Sequence, residues 1–263
     1  MTDYQTWERR TPRERFTRYV LILLTIVAAA ISWQLLQINY SYLGTAPVEF
    51  MDLINRMYPP NVGYSEQILS PMIETIHIAI LGTALAVLMS VPVALLGADN
   101  TTPNRYTFLL GKFIISASRS VNVIIWALVF VIVFGSGALA GTLAIAVRSI
   151  GFCSKLIAEA IEEIDPGQVE AVKATGANSV EAAIYGIAPQ IKPAFIGVST
   201  YRWDINVRAS TIIGFVGAGG IGVELNTSIN FFAWQQVLTI LLAILVIVVI
   251  SEVVSAYLRR KVR

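Results

Sequence analysis

One cysteine, Cys153, and one histidine, His77, stand in a chain of 263 residues. A lone thiol excludes an intrachain disulfide and any zinc site built on cysteine pairs. A lone imidazole excludes a His-rich metal site and a paired-histidine acid–base couple. Charge is scarce as well: Asp, Glu, Lys and Arg make up 14% of the chain, against roughly a quarter in a soluble domain. No Gly-x-x-x-x-Gly-Lys-Ser/Thr loop occurs, so the chain has no phosphate cradle for hydrolysing ATP. What it does have is apolar surface, with 56% hydrophobic residues and a mean hydropathy of +0.67. That balance argues against a water-soluble globule.

The apolar residues are gathered into runs. Residues 1–18 form a basic segment with Arg9, Arg10, Arg13, Arg15 and Arg18, followed by an uncharged run from Tyr19 to about Ile38. That run is long for a signal-peptide core and reads as a retained first span. Further spans are expected at about Met72–Leu96, Phe113–Phe134, Ala138–Ala160, Pro193–Phe215 and Gln235–Leu258. The second and sixth exceed the apolar length that marks a bilayer helix. Spans three, four and five contain arginines. The expected architecture is an all-α integral membrane protein of six transmembrane helices. Residues 19–263 form one transmembrane domain with its core at 72–258.

Charge bias orients it. With the N-terminus inside, 14 Lys/Arg residues fall on cytoplasmic segments, while the outer loops 39–71 and 216–234 hold Arg56 alone. The positive-inside rule then puts both termini in the cytoplasm. In the first outer loop Val48, Met51, Ile54 and Met57 recur at helical spacing between Pro47 and Pro59-Pro60. Such a helix lies on the membrane or caps the bundle, or else belongs to a docking surface for an external partner.

The cytoplasmic stretch between spans four and five is polar. Asp165 is placed to cap a helix with Pro166 at its first position, and Gly176 to end it. A short helix, a glycine turn and a second helical segment follow. Such an element presents a compact knob to a soluble partner.

Glu170, Ala171, Gly176 and Pro189 lie on the spacing of the cytoplasmic loop of bacterial ABC importer permeases: Glu-Ala-Ala, three residues, Gly, nine residues, Ile-x-Leu-Pro. Val172, Gly186 and Ala188 depart from that generic pattern. The run VEAVKATGANSVEAAIYGIAPQIKP, with YRWDINVRASTIIGFVGAGGIG downstream and PPNVGYS in the outer loop, resembles the permease subunit of phosphonate- and phosphite-type ABC importers. The resemblance runs from the second span to the C-terminus. It implies a type I importer permease fold in which a coupling helix between spans four and five docks on a separate ATPase subunit, with Glu170, Ala171, Gly176 and Pro189 as the coupling residues. It also implies a homodimer in the bacterial inner membrane, two ATPase subunits that bind ATP and magnesium, and an extracytoplasmic substrate-binding protein. No cofactor of this chain's own and no nucleic-acid partner is implied. The rival reading is a self-sufficient secondary anion transporter or channel, which would favour internal repeats with discontinuous spans. An integral-membrane enzyme lacks a catalytic constellation.

Four arginines, Arg119, Arg148, Arg202 and Arg208, fall inside expected spans, where an ionisable group is costly and normally faces the bundle interior or water. Counting along straight helices puts Arg119 and Arg148 ~10 Å from the cytoplasmic lysines, Arg202 about 13 Å and Arg208 about 22 Å past Pro193. Asp204, one turn before Arg208, is placed to pair with it. With Asn206 these residues are the candidate translocation path: guanidinium forks match oxyanion geometry. The bland alternative is helix-to-helix pairing that only holds the bundle together. Gly217, Gly219, Gly220 and Gly222 imitate a dinucleotide fingerprint, but a membrane span precedes them rather than a strand. The resemblance implies a close-packed turn there instead, a gate at the outer face. His77 reads as a packed or pore-side residue, and Cys153 as inert.

Overall fold

The computed structural model describes residues 12–262, and every regular element among the described residues is helical. They fall into two compact units that part between Asn55 and Arg56. Arg9 and Arg10 of the basic segment lie outside the described residues.

The first unit holds α1, Pro12–Leu35, and nearly all of α2, Ser41–Met57. The uncharged part of α1 has no polar face: Leu21, Leu24 and Ile26 are all exposed, as suits a helix surrounded by acyl chains. The outer-loop helix starts earlier than its hydrophobic spacing suggested, with Pro47 inside it. The Asn39 carboxamide accepts from the N–H and hydroxyl of Ser41, at 3.1 and 2.6 Å, and starts the helix upstream of the proline.

The second unit begins with a 3-10 turn, Val62–Tyr64, and continues through α3, Ser65–Gly97, α4, Arg105–Ser120, and α5, Val123–Phe134. After these come α6, Ala138–Glu162, α7, Pro166–Ala174, and α8, Ser179–Ala182. A π-helical turn, Ala183–Ile187, leads into α9, Ala188–Ile213. A second 3-10 turn, Gly214–Val216, precedes α10, Ile221–Asn230, and α11, Trp234–Val262.

Helices α3 and α6 form the centre, with α4, α5 and α9 packed around α6 and α11 against α9. Small side chains bring them together. A Cβ on Gly82 of α3 would lie 2.7 Å from Ile145 Cγ2 of α6, and one on Gly111 of α4 would lie 2.7 Å from the Gly97 nitrogen of α3. Ala79, Ala86, Ala94, Ala140 and Ala144 are buried, while Leu88, Ile132 and Leu245 point outward. This reverses the pattern of a soluble core. In lipid an outward leucine costs nothing, so helices associate by the close contact that glycine and alanine permit.

Expected span three is not one straight helix. Helices α4 and α5 meet at 91°. Val121 is extended, and the Asn122 side chain accepts from Ile124 N–H at 3.0 Å, so a new helix begins there. An asparagine ahead of an apolar run is an N-cap, and the apolar count read through it. The distance from Lys112 along a straight helix therefore does not measure the depth of Arg119. Span five is corrected at its start: α9 begins at Ala188 and runs through Pro193, a proline tolerated where neighbouring helices surround the chain. Along α9, Arg202 is about 21 Å and Arg208 about 30 Å from that start.

Among the described residues three stretches are long and apolar enough to cross a membrane: Arg13–Leu35, Val62–Gly97 and Trp234–Arg260. The count reaches five if each of two bent pairs, α4 with α5 and the Ser179–Val216 stretch with α10, is one span. Helix α6 matches expected span four in extent, though it carries Arg148, Lys155, Glu159 and Glu162.

Candidate functional site

Three regions hold the candidate residues. The first is the loop from Asp165 to Pro189. The Asp165 carboxylate accepts from Gly167 N–H at 2.9 Å with Pro166 at the head of α7, as the sequence suggested. Gly176 has a φ of +89°, and nothing lies within 4 Å of a Cβ built there. Its glycine serves the backbone turn, because other residues resist the left-handed region. Asn178 and Glu181 then close a capping box that starts α8, with contacts of 2.7 to 3.0 Å.

Glu170, Ala171, Gly176 and Pro189 are all exposed. Ala171 and Gly176 line one open hollow with Val172, Thr175, Ala177, Glu181 and Tyr185. Glu170 and Pro189 do not line it. Two residues outside the candidate set tie this loop to the membrane helix behind it. Gln190 Oε1 accepts from Asp165 N–H at 3.0 Å while its Nε2 donates to Gly186 O at 2.7 Å. Gly186 is buried, and a Cβ there would lie 3.2 Å from Val169 Cα of α7. The departure from the generic pattern at Gly186 is thus where α7 rests on the π turn. No spacing rule would have picked out Gln190, since its partner lies 25 residues away.

The second region is a polar seam inside the bundle. Asn206, on α9, is fully buried; its Nδ2 donates to Thr83 Oγ1 of α3 at 2.8 Å, and its Oδ1 accepts from Ser149 Oγ of α6 at 3.1 Å. Arg202 is 7% exposed, and its Nε donates to the same Ser149 hydroxyl at 2.8 Å. The Arg202 guanidinium lies 5.2 Å from the centre of the Phe152 ring. Asp204 is buried and pairs with Arg208 as expected; it also accepts from Ser251 Oγ of α11 at 3.1 Å. Arg148 Nη1 is buried without a hydrogen-bond partner. Arg119 is exposed in the last turn of α4.

The candidate path residues therefore divide. Arg202, Asn206 and Asp204 sit inside the bundle, while Arg208 reaches outward with a half-exposed side chain. Ser149, Thr83 and Ser251 were missed. Their signal was a hydroxyl in an otherwise apolar span, and such residues bond across helices in lipid.

The glycine turn joins three helices. Gly217, Gly219 and Gly220 have φ of +83°, +82° and +75°. Ile221 N–H donates to Thr75 Oγ1 of α3 at 2.8 Å, and Gly137 N–H, just before α6, donates to Gly217 O at 2.9 Å. A Cβ on Gly222 would collide with the Thr211 carbonyl. What precedes this turn is α9 and a 3-10 turn, so the dinucleotide imitation lacks its strand. His77 is exposed on α3, and Cys153 is buried in an apolar cluster.

Closely packed helices, a polar seam within them and an exposed lever tied to one of them define a multi-pass membrane protein of the transporter class. The family described as "binding-protein-dependent transport system inner membrane component" matches residues 90–263, and the chain belongs to that family. The phosphite transport system permease protein PtxC of Stutzerimonas stutzeri is 40% identical over 208 residues, covering 79% of this chain and 76% of that one. The phosphate-import permease protein PhnE of Mycolicibacterium smegmatis is 36% identical over 250 residues, covering 95% of this chain and 47% of that one. The chain thus spans about half of that relative. Among solved structures, the MetNI methionine ABC transporter in inward-facing form matches with a TM-score of 0.66 and 21% identity, covering 77% of this chain and 99% of that one. That likeness speaks for the fold. The resemblance to phosphonate- and phosphite-type permeases holds, and none of these relatives favours a self-sufficient transporter.

Proposed function

We propose that the chain is the membrane-spanning subunit of an ATP-driven importer for phosphonate- and phosphite-type oxyanions. The observation that carries this is the exposed helical lever, α7, held by Gln190 and Gly186 to the helix that bears Arg202, in a chain 40% identical to a phosphite permease. Six spans follow if α1, α3, the α4–α5 pair, α6, α9 and α11 each cross once. The positive-inside bias then leaves both termini and α7 in the cytoplasm and the glycine turn outside.

In this reading Glu170, Ala171, Gly176 and Pro189 meet an ATPase subunit, which binds ATP and magnesium. Two copies of the chain form the pathway, and an extracytoplasmic binding protein delivers the ion to the outer side. The glycine turn at Gly217, Gly219, Gly220 and Gly222 acts as a gate because it joins α3, α6 and α10 through close backbone contacts. Arg119, Arg148 and Arg202 have no paired carboxylate among the described residues, while Arg208 is paired with Asp204, so the path they line is cationic, which favours an oxyanion and repels a cation. Residues 19–263 serve as one transmembrane domain.

The test is uptake into vesicles holding the permease, its ATPase and its binding protein. Replacing Glu170 with Ala should abolish ATP-driven phosphite uptake while leaving membrane insertion intact. Full uptake in that variant, or uptake by vesicles containing this chain alone, would refute the assignment.

A further inference from the structure

One turn of α6, residues 148–152, gathers guanidinium groups from three helices. Arg148 belongs to that turn. Arg119 comes from α4, its stem lying against the bare backbone of Gly151, where an added Cβ would be 2.9 Å from Arg119 Cγ. Arg202 comes from α9 and is held on Ser149 Oγ at 2.8 Å and over Phe152. Arg148 is close enough to feel the charge of both Arg119 and Arg202.

No carboxylate pairs with any of the three among the described residues; the one acid in the seam, Asp204, is taken by Arg208 and Ser251. Three like charges around one helix turn repel one another, and the low dielectric strengthens the repulsion. A buried charge is tolerated when it is paired, and here the protein supplies no counter-charge. Arg148 Nη1 is a buried donor with nothing to donate to. Arg202 is fixed through Nε alone among its nitrogens, which leaves its terminal nitrogens to face a ligand. Arg119 is exposed, so the cluster is open on the α4 side.

We infer that Arg119, Arg148 and Arg202 form one binding site for a tetrahedral phosphorus oxyanion, with Ser149 and Phe152 positioning Arg202. The inference rests on the importer reading only for the class of anion. It also assigns different work to the remaining seam residues: Asp204–Arg208–Ser251 and Asn206–Thr83 tie helices together and do not meet the ion. A planar guanidinium presents a fork of donors to an oxyanion, and three forks from separate helices would surround a tetrahedral group.

The test is binding of methylphosphonate to the purified full chain in phosphatidylcholine nanodiscs, without ATPase or binding protein. Wild type should bind and show a rise in thermal stability on addition of the anion. Arg148→Gln, which breaks no hydrogen bond described here, should fold, weaken binding at least tenfold and abolish the thermal shift. Arg202→Gln should weaken binding similarly. Lys155→Gln removes one cation from the exposed face of the same helix and should change binding less than twofold. Equal binding by wild type and Arg148→Gln, or no binding by wild type, would overturn the site. Such a failure would leave ATP-driven uptake by the full importer untouched, and so would be distinguishable from failure of the importer assignment. The same oxyanion chemistry occurs in lipid headgroups. Displacement of methylphosphonate by added phosphatidylglycerol would reassign the site to lipid, and persistence of binding would support a free ion.

Discussion

The loop from Asp165 to Pro189 and the seam around Asn206 use polar groups in opposite ways. In the loop the polar contacts are mostly short-range. Asp165 caps its own helix two residues on, Asn178 and Glu181 cap one another, and Gly176 turns the chain unaided. The four candidate coupling residues face outward. In the seam, apart from the Asp204–Arg208 pair, the contacts are long-range. Asn206 reaches Thr83, 123 residues away in sequence, and Ser149, 57 residues away. An exposed loop that few other helices touch keeps its shape through such local caps and turns. Helices in lipid gain little from apolar burial, so their register is set by close small-residue contacts and a few cross-helix hydrogen bonds. Damage to the loop should therefore be read in coupling, and damage to the seam in stability.

After the loss of uptake expected for Glu170→Ala, the next largest functional effect is expected at Gly176. A valine there must hold φ near +89°, at a cost on the order of 1–3 kcal/mol, and a cost of 1.4 kcal/mol is tenfold in an equilibrium. Gly176→Val should lower ATP-driven uptake about tenfold or more with the thermal midpoint of the purified chain almost unchanged. A large loss of thermal stability instead would erase the contrast between the two regions. Next comes Asn206→Leu, which leaves Thr83 and Ser149 without their partner in a dry interior. Stability should fall by about 2 kcal/mol, read as a lower denaturation midpoint in detergent. A variant as stable as wild type would show that the seam does not hold the bundle.

Smaller effects sharpen the loop side. Asp165→Ala removes the cap of α7 and should cost about 1 kcal/mol of local helix stability, visible as faster amide exchange across 166–174 with exchange in α3 and α6 unchanged. Gln190→Ala cuts the tie between α7 and the start of α9. It should leave folding intact and reduce the oxyanion carried per ATP about twofold, a loss of only a few tenths of a kcal/mol. Unaltered stoichiometry would mean that α7 drives the membrane helices by another contact.

Much of the architecture was legible because it depends on local rules. The runs at α1, α3 and α11 appear as long apolar stretches, and Asp165-Pro166 with Gly176 marks both ends of α7. The Asp204–Arg208 pair followed from one-turn spacing. Span three misled because hydropathy averages across Asn122, and a window of apolar residues says nothing of a 91° bend within it. The start of α9 was placed at a proline that the helix runs through.

Composition and order along the chain were enough to determine that this is a helical membrane protein with a capped, glycine-ended helix, α7, and its motifs carried the resemblance to importer permeases. Those features arise from interactions within a few residues of one another, where spacing is geometry. Only the tertiary structure decided that Arg119, Arg148 and Arg202 converge on one turn of α6 while Arg208 is neutralised by Asp204. Which arginine has a counter-charge depends on how helices far apart in sequence are rotated against each other, and the bare backbone of Gly151, against which Arg119 of α4 lies, leaves no periodic trace.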